Sequence, residues 1–108
     1  MLKIIVNSGN NVAVDKAQVE SISTTVRERL GRFEDRLTQV EAYIADENAA
    51  KEGGNDKRCM LEARPNGMDP LHVTVHADTV DQAVHSATHK LERMLDDSFS
   101  RLETIHGR

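Results

Sequence analysis

Six stretches of the chain keep a regular rhythm of apolar and polar positions. From Leu2 to Asn7 the residues are mostly β-branched or aliphatic, and Asn7-Ser8-Gly9-Asn10-Asn11 follows as a concentrated turn signal, which predicts a first strand. Asp15 is placed to cap the next element. Val19, Ile22, Val26, Leu30 and Phe33 then recur at spacings of three and four, so they share one face of a helix predicted to end near Arg36. Between Leu37 and Asp46 the period drops to two. Val40, Ala42 and Ile44 fall on one side and Glu41, Tyr43 and Ala45 on the other, the signature of a half-buried strand. The polar stretch from Asn48 to Asp56, with Gly53-Gly54, can bury little and is expected to be a mobile hairpin loop.

A third strand is predicted from Lys57 to Arg64, with Cys59, Leu61 and Ala63 inward and Pro65-Asn66-Gly67 ending it. The fourth sends Leu71, Val73, Val75 and Ala77 inward and His72, Thr74 and His76 outward. Thr79, with Asp78 beside it, starts a last helix running to about Thr104. Its stripe is Val80, Val84, Ala87, Leu91, Leu95 and Leu102, joined by Met94 and Phe99. The order is therefore β-α-β-β-β-α. Each strand shows one apolar side only, so both helices belong on one sheet face, and the right-handed crossover rule makes the first strand parallel to a neighbour. The expected fold is an α/β two-layer sandwich, a four-stranded mixed sheet with two helices on one face. The other face is open and partly polar, carrying Tyr43, Arg58, Glu62, Arg64, His72 and His76, and is a candidate partner surface.

With 108 residues the chain suits one domain, 1–108, with one core. Only 3% of residues are aromatic, so that core must be built from Val, Ile, Leu, Ala and Met. The opening Met1-Leu2-Lys3-Ile4-Ile5-Val6 is too short an apolar run for a signal peptide or a membrane span, and cytoplasm is the expected compartment. Cys59 is the sole cysteine, which excludes an internal disulfide and a cysteine-rich zinc site, and reads as a structural residue.

Net charge is -4, so the overall field does not draw the chain to nucleic acid or anionic membrane, and any polyanion contact must be local. Two basic flanks supply a candidate. At about 100° per residue, Arg29, Arg32 and Arg36 lie along one edge of the first helix. Lys90, Arg93 and Arg101 lie on one side of the second, interrupted by Asp97, with His85, His89, Glu92 and Asp96 on the other. Helices packed side by side would let these flanks border a groove tracking a phosphate backbone, where arginine's fork bonds two oxygens. The plainer reading is of solvated faces with local pairs such as Glu28 with Arg32.

His85 and His89 stand one turn apart, but no third ligand has a recognisable spacing. His72 and His76 are about 13 Å apart along an extended strand. No metal site is expected. The chain has no nucleophile elbow, no glycine-rich phosphate loop opening a helix and no supported Cys/His pair, so an enzyme is the least expected class and no cofactor is required.

Element order and several strings resemble the ribosome hibernation-promoting factors and ribosome-associated translation inhibitors of bacteria. These are "NSGNNVAV" after the first strand, "VRERLGRFEDR" ending the first helix, and "LHVTVHADTVDQAVHSATHKLERML" at the end, the most specific of the three. The pattern in the last helix is met at Asp78, Ala83, Val84, Ala87, Lys90 and Leu91, with Arg93 also fitting. The resemblance implies a stress-response factor that binds the small ribosomal subunit through its ribosomal RNA, regulates translation or stores idle ribosomes, and turns Arg29, Arg32, Lys90 and Arg93 toward RNA. The chain departs from the family in having Asp81 where an aromatic is usual and Asp96-Asp97 where lysines continue, changes that lower phosphate affinity. It looks like a short, diverged form. The rival expectation is a protein-interaction or self-associating domain of the same fold with weak RNA affinity. Oligomeric state is not written in the pattern.

Overall fold

The computed structural model describes residues 2–9, 12–46 and 56–106, with side chains as far as Arg101. The elements are β1 (Lys3–Ser8), α1 (Lys16–Leu30), a 3₁₀ turn (Gly31–Phe33), β2 (Leu37–Asp46), β3 (Lys57–Pro65), β4 (Leu71–Ala77) and α2 (Val80–His106). The order is the expected β-α-β-β-β-α. The expected hairpin loop falls, apart from Asp56, outside the described residues, as does the side chain of Leu102.

Local chemistry sets the boundaries. Asp15 caps α1 in a capping box, its carboxylate accepting from the Gln18 amide at 2.8 Å while the Gln18 side chain accepts from the Asp15 amide at 3.2 Å. Thr79 caps α2 by accepting from the Gln82 amide at 3.1 Å. The first helix ends at Leu30, six residues before the expected end near Arg36. Gly31–Phe33 carries the chain on as a tighter turn, which keeps Phe33 on the buried stripe three residues after Leu30. After β3, Gly67 takes a φ of 73°, a left-handed conformation that glycine adopts without a Cβ penalty.

The sheet order is β1-β2-β3-β4, with β1 parallel to β2 and the other pairs antiparallel. β1, β2 and β4 therefore point the same way. Each helix returns against the strand before it, so α1 and α2 run parallel to each other on one sheet face. The core lies between the layers. Ile22, Val26, Leu30 and Phe33 meet Val84, Ala87, Leu91, Leu95 and Phe99 above Val40, Ala42, Ile44, Cys59, Leu61 and Ala63. Each fully buried large aliphatic side chain contributes about 1.5–3 kcal/mol, and this shared burial holds the helices in register.

Thr88 is wholly buried, and the stripe had no place for it. Its hydroxyl donates to the Val84 carbonyl at 2.6 Å, which satisfies the group without leaving the helix. Among the described residues no helix is long and apolar enough to cross a membrane.

Candidate nucleic-acid interface on the helix layer

Parallel helices bring residues 29–36 alongside residues 92–99. The α1 flank does not face the cations of α2. Arg29 Nη1 lies 3.1 Å from Glu92 Oε1, Arg32 Nη2 lies 3.4 Å from Glu92 Oε2, and Arg32 Nη1 lies 3.7 Å from Asp96 Oδ1. One carboxylate thus bridges two guanidinium groups across the groove. The arginine side chains remain about half exposed, at 46% and 51%, while Glu92 is 20% exposed, so the anion sits deeper than the cations it holds.

The expected local partner of Arg32, Glu28, is not the one it takes. Glu28 lies on α1 itself, whereas Glu92 and Asp96 are presented by the facing helix about one turn apart, as Arg29 and Arg32 are, although the two spacings are four and three residues. The groove therefore has a basic wall and an acidic wall.

Aromatic rings close its far end. Phe33 and Phe99 are tilted by 50° at 5.4 Å between centroids, with the Arg32 guanidinium 4.2 Å above Phe33 and that of Arg36 4.8 Å above Phe99. These contacts orient the planar guanidinium groups. Phe99 was legible as an apolar residue, but its pairing with Phe33 depends on the helices being parallel.

Lys90, Arg93 and Arg101 occupy the part of α2 turned away from the Glu92 flank, by the same angular projection. Lys90 and Arg93 are exposed and make no ion pair with a described residue. They border a shallow depression with His89, Met94, Asp96, Asp97 and Ser100. Arg101 pairs along the helix with Asp97 at 2.7 Å. The candidate cations accordingly form two groups: one at the end of α1 and just after it, in which Arg29 and Arg32 are engaged with carboxylates and Arg36 stacks on Phe99, and an α2 group in which Lys90 and Arg93 make no ion pair with a described residue.

The remaining chemistry is quiet. Burial pushes the Cys59 thiol from 9.0 up to about 12, which suits a structural residue. On the open sheet face, Tyr43 donates to Glu41 at 2.9 Å, and that hydrogen bond raises the phenol above its ordinary value. His72 approaches Glu62 at 3.0 Å. Among the described residues no group of three or more His, Cys, Asp or Glu is placed to hold a metal ion.

Residues 5–103 match the family model for sigma 54 modulation protein / S30EA ribosomal protein. The chain belongs to that family. Its members are ribosome-associated proteins, in line with the hibernation-factor resemblance. Comparison with curated sequences returns no match. Among solved structures, the protein Y N-terminal domain of Thermus thermophilus aligns with a TM-score of 0.69 at 17% identity, covering 85% of this chain and 93% of that one. A ribosomal subunit interface protein from Coxiella burnetii aligns with a TM-score of 0.68 at 16% identity, covering 93% and 99%. At these identities the two neighbours establish the shared fold.

Proposed function

We propose that this chain is a cytoplasmic, non-enzymatic factor that docks on the small ribosomal subunit through ribosomal RNA and inhibits translation or stores idle ribosomes. The observation that carries the reading is the family match over residues 5–103 of a chain whose candidate cations all stand on the helix layer. Arg29, Arg32, Arg36, Lys90, Arg93 and Arg101 are the RNA-contacting residues in this reading. Lys90 and Arg93 meet phosphate first because no described carboxylate holds them. Arg29 and Arg32 follow by exchanging Glu92 for phosphate. That exchange is cheap, since an exposed ion pair is worth about 0–1 kcal/mol and a bidentate arginine–phosphate contact also releases counterions.

A second reading rests on the acidic wall. With Glu92 and Asp96 on the groove and Asp97 on the outer flank, the layer is also consistent with a protein-interaction domain of weak RNA affinity. Cosedimentation with small subunits across a salt series separates the two. A phosphate-dominated complex is saturable and weakens steeply as salt rises, whereas absence of binding even at low salt selects the protein-interaction reading.

A further inference from the structure

Charge on this sheet is distributed the wrong way round for an isolated four-stranded sheet. The inner strands β2 and β3, paired on both sides, carry Glu41, Asp46, Lys57, Arg58, Glu62 and Arg64. β4 is an edge strand, with no strand beyond it among the described residues, yet it has no Lys, Arg, Asp or Glu from Leu71 to Ala77. Natural edges are ordinarily blunted by charges, prolines or bulges, because an open row of N–H and C=O groups templates another strand. β4 has none of these devices: its seven-pair register against β3 is unbroken, and Pro70 lies before it. The other edge is guarded, since β1 opens with Lys3 and Arg27 donates to the Leu2 carbonyl at 3.0 Å.

Apolar cover also fails at this edge. Leu71, Val75 and Ala77 face the helix layer but are only half-buried, while their counterparts Val40, Ala42, Cys59, Leu61 and Ala63 are completely buried. Val80 and Met94 of α2 are likewise only partly covered.

We infer that β4 is an interface strand that pairs antiparallel with β4 of a second copy about a two-fold axis through Thr74, joining two four-stranded sheets into one of eight. Thr74 then meets Thr74, His72 meets His76, Val73 meets Val75 and Leu71 meets Ala77. Polar pairs fall on the open face and apolar pairs on the helix face, no permanent charges oppose each other, and Thr–Thr is a favourable cross-strand pair. Such self-complementarity is what a two-fold interface demands, and it singles out a second copy over an unrelated strand. The helix layer accommodates it. α2 packs on β3 and β4, so its copy falls about two strand spacings away, about 9–10 Å, the ordinary distance between packed helices. By the angular projection, exposed Ser86 and half-buried Met94 on the flank turned from Glu92 then face the copy, while Ala83 and Ala87 are already buried within each chain. Lys90 shares that flank, so pairing withdraws it from RNA, a consequence that rests on the function proposed above.

Sedimentation velocity of the full chain, without RNA, from micromolar to submillimolar protein tests the pairing. The wild type is expected to pass from monomer to dimer with concentration. Thr74→Lys, an exposed substitution that sets two like charges on the axis, is expected to stay monomeric, while Asn7→Lys on the β1 edge dimerises normally. Hydrogen exchange of the wild type adds a check independent of folding in the variant: alternate β4 amides should slow as concentration rises, with those of β1 unchanged. A wild type monomeric throughout, or a Thr74→Lys chain that dimerises as well as wild type, overturns the inference. So does β4 protection that arises only when another protein is added.

Discussion

The α1 and α2 cations share one layer of the molecule but meet opposite surroundings. Arg29 and Arg32 look across the groove at Glu92 and Asp96, while Lys90 and Arg93 look outward and make no ion pair with a described residue. Both groups are exposed arginine or lysine, so residue type and burial do not separate them. The difference comes from topology. Parallel helices turn one flank of α2 toward α1, and in this chain that is the acidic flank. A cation count alone would treat these residues as interchangeable. In the proposed complex, that geometry would make Lys90 and Arg93 the immediate phosphate contacts and Arg29 and Arg32 a reserve that opens when phosphate displaces Glu92.

The strongest way to break the comparison is charge reversal on both sides at once. Arg32→Glu with Arg93→Glu is expected to abolish cosedimentation with small subunits, a loss of about 100-fold or more at near-physiological salt, with the fold intact by circular dichroism. The single variants sharpen it. Arg93→Glu should cost more than Arg32→Glu, because Arg32 is already partly neutralised. Equal losses would mean that the ion pairs do not matter in the complex, and unchanged cosedimentation of the double variant would remove the helix layer as the RNA surface.

A core substitution acts on both groups together. Leu91 is fully buried in α2 between the Glu92 side and the Lys90 side, and Leu91→Ala is expected to cost about 2–5 kcal/mol by urea denaturation. RNA binding at temperatures where the variant stays folded should weaken for both sets of cations rather than one. A loss under about 1 kcal/mol would show that the helix is seated less firmly than its burial indicates.

The parts of this architecture legible in the sequence were those governed by local period. The alternation of Val40, Ala42 and Ile44, and the three-and-four spacing of Ile22, Val26 and Leu30, each report one element's buried face, while Val19 at the start of the helical stripe is only half-buried. The end of α1 was less legible because a 3₁₀ turn returns to the same face every three residues, so Leu30 and Phe33 look like continuing helix. The candidate site was legible in its residues and not in its pairings. Projection separates Glu92 and Asp96 from Lys90 and Arg93, but not which side turns toward α1. The clue was available in the match between Arg29, Arg32 and Glu92, Asp96, and reading it required the parallel helix arrangement first.

A milder substitution tests the reserve directly. Glu92→Gln keeps the shape of the side chain and removes the charge that bridges Arg29 and Arg32. Because such exposed pairs are worth about 0–1 kcal/mol, stability should hardly change. Affinity for small subunits should instead rise about 3- to 10-fold, with a steeper salt dependence, since Arg29 loses its carboxylate partner and Arg32 keeps only the longer contact to Asp96. A fall in affinity would assign Glu92 the opposite task, holding the arginines in a productive arrangement.

The smallest effect belongs to the far end of α2. Asp97 and Arg101 form an i, i+4 pair at 2.7 Å in the favourable order, acid before base, but both side chains are more than 60% exposed. Asp97→Asn should therefore cost no more than about 0.5 kcal/mol in a thermal or urea melt. Its effect on RNA is informative despite being small. Removing Asp97 takes a negative charge from beside Lys90 and Arg93 and loosens Arg101, so affinity should rise about 2- to 3-fold, less than for Glu92→Gln, which removes a carboxylate shared by two arginines. If Asp97→Asn gave the larger gain, the outer flank of α2 would dominate the contact, and the α1 arginines would be stabilising cross-links between helices rather than a second set of phosphate ligands.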